Sequence, residues 1–111
     1  MAYDEDLADR IRELVSAHGS AEEKKMFGGL GFLLGGNMAV CASHDGGLLV
    51  RTDGVGFEAL LRDEHVEPMV MAGRASKTWL RVAPEGVRTK RQLERWVSRG
   101  VATATALPPK G

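Results

Sequence analysis

Apolar positions along this chain follow two periods, and the switches between them divide it into elements. Between Asp4 and Ala17, Leu7, Ile11, Leu14 and Val15 recur at the spacing of one helix face. Asp4 or Asp6 can cap the start, the acids of the first turn suit the helix dipole, and Gly19 fits a left-handed stop. Three apolar runs of strand length follow, at Lys25–Leu34, Met38–Ser43 and Leu48–Thr52. Their separators, Gly35-Gly36-Asn37 and His44-Asp45-Gly46-Gly47, adopt positive φ cheaply, so the runs predict a three-stranded antiparallel meander. Asp53 to Asp63 returns to helical spacing through Phe57, Leu60 and Leu61 and predicts a short helix. Pro68–Met71 and Thr78–Val82 flank Ala72-Gly73-Arg74 and predict a second hairpin. Thr89 and Gln92 form a capping box that opens a last helix to about Ala106, where Pro108 and Pro109 end it. Its apolar face is Leu93, Trp96, Val97, Val101 and Ala104. The predicted order α-β-β-β-α-β-β-α is that of a two-layer α+β domain.

The most apolar stretch, KKMFGGLGFLLGGNM at residues 24–38, carries five glycines. Read as one strand, it places Gly29 and Gly31 on the same face, a bare patch where a helix can cross closely or the strand can bulge. A phosphate-cradling loop needs more. The third small residue of the dinucleotide fingerprint is missing, since Leu34 stands three residues after Gly31; the stretch opens no helix, and no Gly-Lys-Ser/Thr follows.

Composition narrows the class. At 111 residues, 43% apolar and 27% charged, the chain has the profile of one ordinary globular domain. The acidic start MAYDEDLADR lacks the features of a secretory signal, and no apolar run approaches the roughly 20 residues that cross a bilayer. Cys41, the single cysteine, excludes an internal disulfide and fits a reducing cytoplasm. The zero net charge hides an asymmetry: residues 1–70 hold thirteen acids and six bases, residues 71–111 two acids and nine bases. Such a division hints at a partner surface unless folding sets the two parts against each other.

Candidate chemistry is sparse. His18, His44 and His65 fall in three different elements with no ligand spacing, so edge-of-core or solvated roles are expected of each. Cys41 lies mid-strand between Val40 and Ala42, the setting of a buried small hydrophobe. No serine sits in a nucleophile elbow or a Ser-x-x-Lys pattern, and the paired carboxylates of the first helix answer to its dipole. The expectation is therefore a non-enzyme without cofactor or metal. One surface feature carries weight. Arg91, Arg95 and Arg99 repeat every four residues on the last helix, opposite its apolar face, with Arg88 and Lys90 near its start. The stripe reads as a solvated face, as a phosphate-binding face for duplex DNA, or as a surface for an acidic helix of another subunit. Aromatics for stacking single-stranded bases are few.

The run Lys25-Met26-Phe27-Gly28-Gly29-Leu30-Gly31-Phe32, the glycine turn after it, Gly47-Leu48-Leu49-Val50-Arg51, Trp79-Leu80-Arg81-Val82 with Pro84-Glu85, and the helix around Trp96 resemble the TfoX (Sxy) N-terminal domain family. The resemblance runs from the first helix to Ala106, and its most specific part is the signature Lys25, Met26, Phe27, Gly28 and Gly29. It implies a curved antiparallel sheet with helices packed on it, similar to secretion chaperones, and a stand-alone single domain over 1–111 without the C-terminal helical domain of two-domain members. Those members regulate natural competence together with the cyclic-AMP receptor protein. The resemblance thus implies a cytoplasmic transcriptional accessory module that works through a protein partner and brings no catalytic residues with it. A homodimer is also expected, because an antiparallel sheet in so small a domain leaves edges and one face to cover.

Overall fold

A computed structural model describes residues 4–19, 21–26, 28–52, 54, 57–71 and 73–108. It has the expected α+β class, with one strand more than the sequence pattern predicts. The elements are α1 (Glu5–Ser16), β1 (Glu22–Met26), β2 (Gly29–Leu34), β3 (Asn37–Ala42), β4 (Leu48–Arg51), α2 (Phe57–Leu60), β5 (Val66–Met71), β6 (Arg74–Val82), a 3-10 turn (Pro84–Val87) and α3 (Lys90–Ala106). The strands form one antiparallel sheet in the order β1-β2-β3-β4-β6-β5. The chain meanders through four strands, jumps to the far edge and returns beside β4.

The first apolar run is where the prediction needs correcting. Lys25–Leu34 is not one strand: its start belongs to β1, and Met26 pairs with Gly29 across a tight hairpin in which Gly28 takes φ +72°. The stretch Glu22–Lys25 shows no apolar alternation because all four residues of this edge strand are exposed, so the pattern that reveals strands is missing there. Gly29 is required by space as well. A Cβ on it would lie 2.0 Å from the carbonyl oxygen of Ala42 on the neighbouring strand.

The two faces of the sheet differ in cover. Leu30, Phe32, Val40, Leu48, Val50, Leu80 and Val82 form one core with Leu7, Ile11 and Val15 of α1 and Leu93, Trp96, Val97 and Val101 of α3. The opposite face carries a smaller cluster, Met38, Cys41, Leu49 and Met69 with Leu33 and Trp79 against it, to which no described helical residue belongs. Gly31 pairs with Cys41 on this second face, where no described helical residue packs over it, and β2 itself carries no extra residue, so the bulge expected of the glycine strand falls in its partner β3 instead. Between Phe32 and Leu33 the β2–β3 register shifts, which leaves Ala39 as an extra residue in β3.

That bulge seats α3. The close helix approach occurs at a glycine of the helix: a Cβ on Gly100 would stand 2.4 Å from the Ala39 carbonyl oxygen and 2.7 Å from Val40 Cγ1. Beyond the bulge, buried Asn37 donates from Nδ2 to the carbonyls of Pro108 (2.9 Å) and Ala104 (3.5 Å), tying down the C-terminal end of α3. Its other end is closed by the expected capping box, with Gln92 N donating to Thr89 Oγ1 at 3.1 Å and Thr89 N to Gln92 Oε1 at 3.0 Å. Helix α1 is capped by Asp4, whose Oδ1 accepts from Leu7 N. It is joined to β1 by Arg12, which forks onto Glu23 at 2.6 and 2.7 Å and also meets Asp9.

Candidate functional site

Four of the five signature residues are described, and they build the first hairpin. Lys25 is exposed on β1, Met26 closes the strand pairing, Gly28 supplies the turn and Gly29 the close strand approach, whereas Phe27 lies outside the described residues. Their arrangement accounts for the glycines by backbone geometry alone.

Isolated candidates stay isolated. His18 and His44 are exposed in turns, and half-buried His65 sits 3.5 Å from Glu64 with its ring side against Gly86. Among the described residues no three His, Cys, Asp or Glu side chains are grouped to hold a metal ion. Cys41 is fully buried, and burial pushes its thiol up to about 11, far from the thiolate that a nucleophile requires at neutral pH.

Arg88, Lys90, Arg91, Arg95 and Arg99 are all exposed. The sheet turns the apolar side of α3 inward, and the four-residue spacing sends the arginines outward. Arg88 precedes the helix, and its carbonyl accepts from the Arg10 guanidinium of α1 at 3.1 Å, so the two helices meet at the start of the stripe. Arg95 lies over the Trp96 ring, 4.9 Å from its centroid, and 3.9 Å from Asp63.

The structure divides this stripe and adds a residue to it. A cleft of about 660 Å³ opens beside the second half of α3, lined by Arg95 and Arg99 from the helix and Arg51 from the end of β4. Ser98 and Thr78 bring hydroxyls to the same walls, and Ala102, Ala106 and Leu107 supply an apolar side. Arg88, Lys90 and Arg91 are not part of the lining. Sequence reasoning missed Arg51 because it lies more than forty positions before its helical partners; its only signal was a charge ending an otherwise apolar strand.

The acidic first part of the chain neutralises little of the stripe. Arg12 binds Asp9 and Glu23, Arg81 binds Asp45 and Glu67, and Arg95 is near Asp63, but Arg88, Lys90, Arg91 and Arg99 form no ion pair among the described residues. Folding therefore leaves the charge asymmetry of the sequence on the surface.

A family model of the TfoX N-terminal domain matches residues 13–104. The chain belongs to the TfoX N-terminal domain family. The match spans α1 from its last turn, the whole sheet and α3 as far as Ala104, so this TfoX-type domain includes both the glycine hairpin and the arginine stripe. No curated protein and no solved structure matches the chain. No helix is long and apolar enough to cross a membrane among the described residues.

Proposed function

We propose that this TfoX-type domain is a small cytoplasmic interaction module, a transcriptional accessory protein that acts by presenting the outer face of α3 to a protein partner with an acidic surface. One observation carries the reading: Arg88, Lys90, Arg91 and Arg99 remain exposed and without an ion pair among the described residues, although the chain holds as many acids as bases. Complementary charge across such a face speeds encounter and selects partners. The transcriptional setting rests on the family relation, and the partner class on the charge.

Duplex DNA is the second reading, favoured by the same arginines. Anisotropy of a labelled duplex at low and physiological salt separates the two, with Arg91, Arg95 and Arg99 all changed to Glu as the control. Phosphate contacts would appear as binding that falls steeply with salt and vanishes in the variant, and would transfer the face to nucleic acid. The protein reading expects no duplex binding at low salt and a partner captured by the wild type that the triple variant loses.

The homodimer is part of the same proposal, but the sheet edges argue for a face rather than an edge contact. Glu22, Glu23, Lys24 and Lys25 line β1, while Pro68 and a register shift interrupt β5, both devices that discourage strand addition. Sedimentation that shows a clean monomer at high concentration removes this part of the proposal.

A further inference from the structure

The geometry points to a second recognition site in this domain: the cleft between α3 and the end of β4 binds a small organic phosphate, with the phosphoryl group held by Arg51, Arg95 and Arg99. The inference does not depend on the partner reading, and it gives Arg95 and Arg99, with Arg51, a role beyond the outer face that they share with Arg88, Lys90 and Arg91.

The cleft has the dimensions and the mixture of walls expected of a small-molecule site. Its volume of about 660 Å³ lies within the range of roughly 300–1,000 Å³ typical of ligand pockets. Polar groups converge on it from β4, β6 and α3, and the core holds the two that carry the arginines rigidly. Val50, beside Arg51, is buried in the sheet, and Val97 and Val101 fix the side of α3 opposite Arg95 and Arg99. The two helical arginines are one turn apart, so their planar forks reach the same volume, and a guanidinium matches phosphate oxygens in pairs.

The donors there are not used up. Arg51 and Arg99 make no ion pair among the described residues, and the hydroxyls of Ser98 and Thr78 make no hydrogen bond among them. Thr52 and Thr103, which also line the cleft, already donate to the carbonyls of Thr78 and Arg99, at 3.1 Å each. Arg95 is the one cation with an acid near it, and Asp63 at 3.9 Å is the weak contact that an arriving dianion replaces. The C-terminal carbonyls of α3 would oppose an anion, but Asn37 donates to the Ala104 carbonyl of that last turn and to the Pro108 carbonyl just beyond it, which blunts the effect. An apolar side formed by Ala102, Ala106 and Leu107 gives the organic part a surface that inorganic phosphate cannot use.

Phenyl phosphate and inorganic phosphate serve as probes, titrated into the full chain and followed by amide chemical shifts. Saturable shifts are expected at Arg51, Thr78, Ser98 and Arg99, with phenyl phosphate binding several-fold more tightly than inorganic phosphate. Arg51→Gln and Arg99→Gln should each weaken phenyl phosphate about tenfold, the loss of roughly one charge-assisted contact, while Arg91→Gln leaves it unchanged. Both variants change exposed or half-exposed side chains, and unperturbed core signals verify their fold. Absence of saturation at millimolar phenyl phosphate overturns the inference. So does equal weakening by Arg91→Gln, or a duplex that competes for the site and is hurt equally by Arg91→Gln and Arg51→Gln. Loss of probe binding in Arg51→Gln with partner capture intact supports the cleft as a separate site.

Discussion

Helices α1 and α3 pack on the same face of the sheet, yet they are seated and charged in opposite ways. The apolar positions of α1 enter the core, and its outer side is tethered by an exposed ion pair from Arg12 to Glu23. Helix α3 is held from beneath, by the Gly100 approach to the bulged strand and by the buried amide of Asn37. Charge follows the seating. The helix that needs its charges for attachment keeps Arg12 and Asp9 paired, and the helix seated by backbone contact leaves Arg91 and Arg99 without an ion pair among the described residues.

The largest effect should come from the seat of α3. Gly100→Ala would gain helix propensity of about 1 kcal/mol but drive a Cβ into the Ala39 carbonyl, so a net loss of about 2 kcal/mol is expected in denaturant unfolding. A more stable variant would show that the helix can lift without cost. Asn37→Ala comes next, at about 1–2 kcal/mol, because the Pro108 carbonyl loses its side-chain donor and the Ala104 carbonyl near the end of α3 loses one of its donors; melting midpoints test it, and an unchanged midpoint would mean that water replaces the amide.

The tether of α1 should matter less. Arg12→Ala is expected to cost under about 1 kcal/mol, and salt should shrink that loss, since both partners are accessible. Its pH signature has a definite sign. The Arg12 hydrogen bond holds the Glu23 carboxyl below its usual value, so the stabilisation is present above the unfolded carboxyl's range and disappears as pH falls through the folded value. Unfolding curves of wild type and Glu23→Gln should therefore converge in acid; a gap that persists below the carboxylate range contradicts the pair's role.

The smallest effect on stability belongs to the arginine stripe, where changing Arg91, Arg95 and Arg99 to Glu should shift melting by little while abolishing partner capture. A large loss of stability would mean that Arg95, through Trp96 and Asp63, helps hold the fold and that the contrast between the helices is overstated.

Much of this is legible in the sequence. Helical period, Asp4, and the Thr89–Gln92 box locate α1 and α3 within a residue of their observed ends, because caps and apolar stripes are local. The predicted second hairpin is real but longer, Val66–Met71 with Arg74–Val82, since exposed Lys77 and Thr78 hide the alternation of its second strand. Of the predicted helix at 53–63, Asp53, Val55 and Gly56 lie outside the described residues, and the described part is helical only over the single turn Phe57–Leu60, with Phe57 buried and Leu60 and Leu61 partly buried against the core. Edge strand β1 had no readable period at all.

The sequence by itself determined the two amphipathic helices, the antiparallel strands other than β1, the turns between them, the family and the separation of charge, because each is written in neighbouring residues. Only the tertiary structure decided which glycine admits the close helix approach, which sheet face stays uncovered and that Arg51 joins Arg95 and Arg99. Those outcomes depend on a one-residue bulge at Ala39 and on the antiparallel register of β4. Register is set by packing between distant segments, and no local spacing records it.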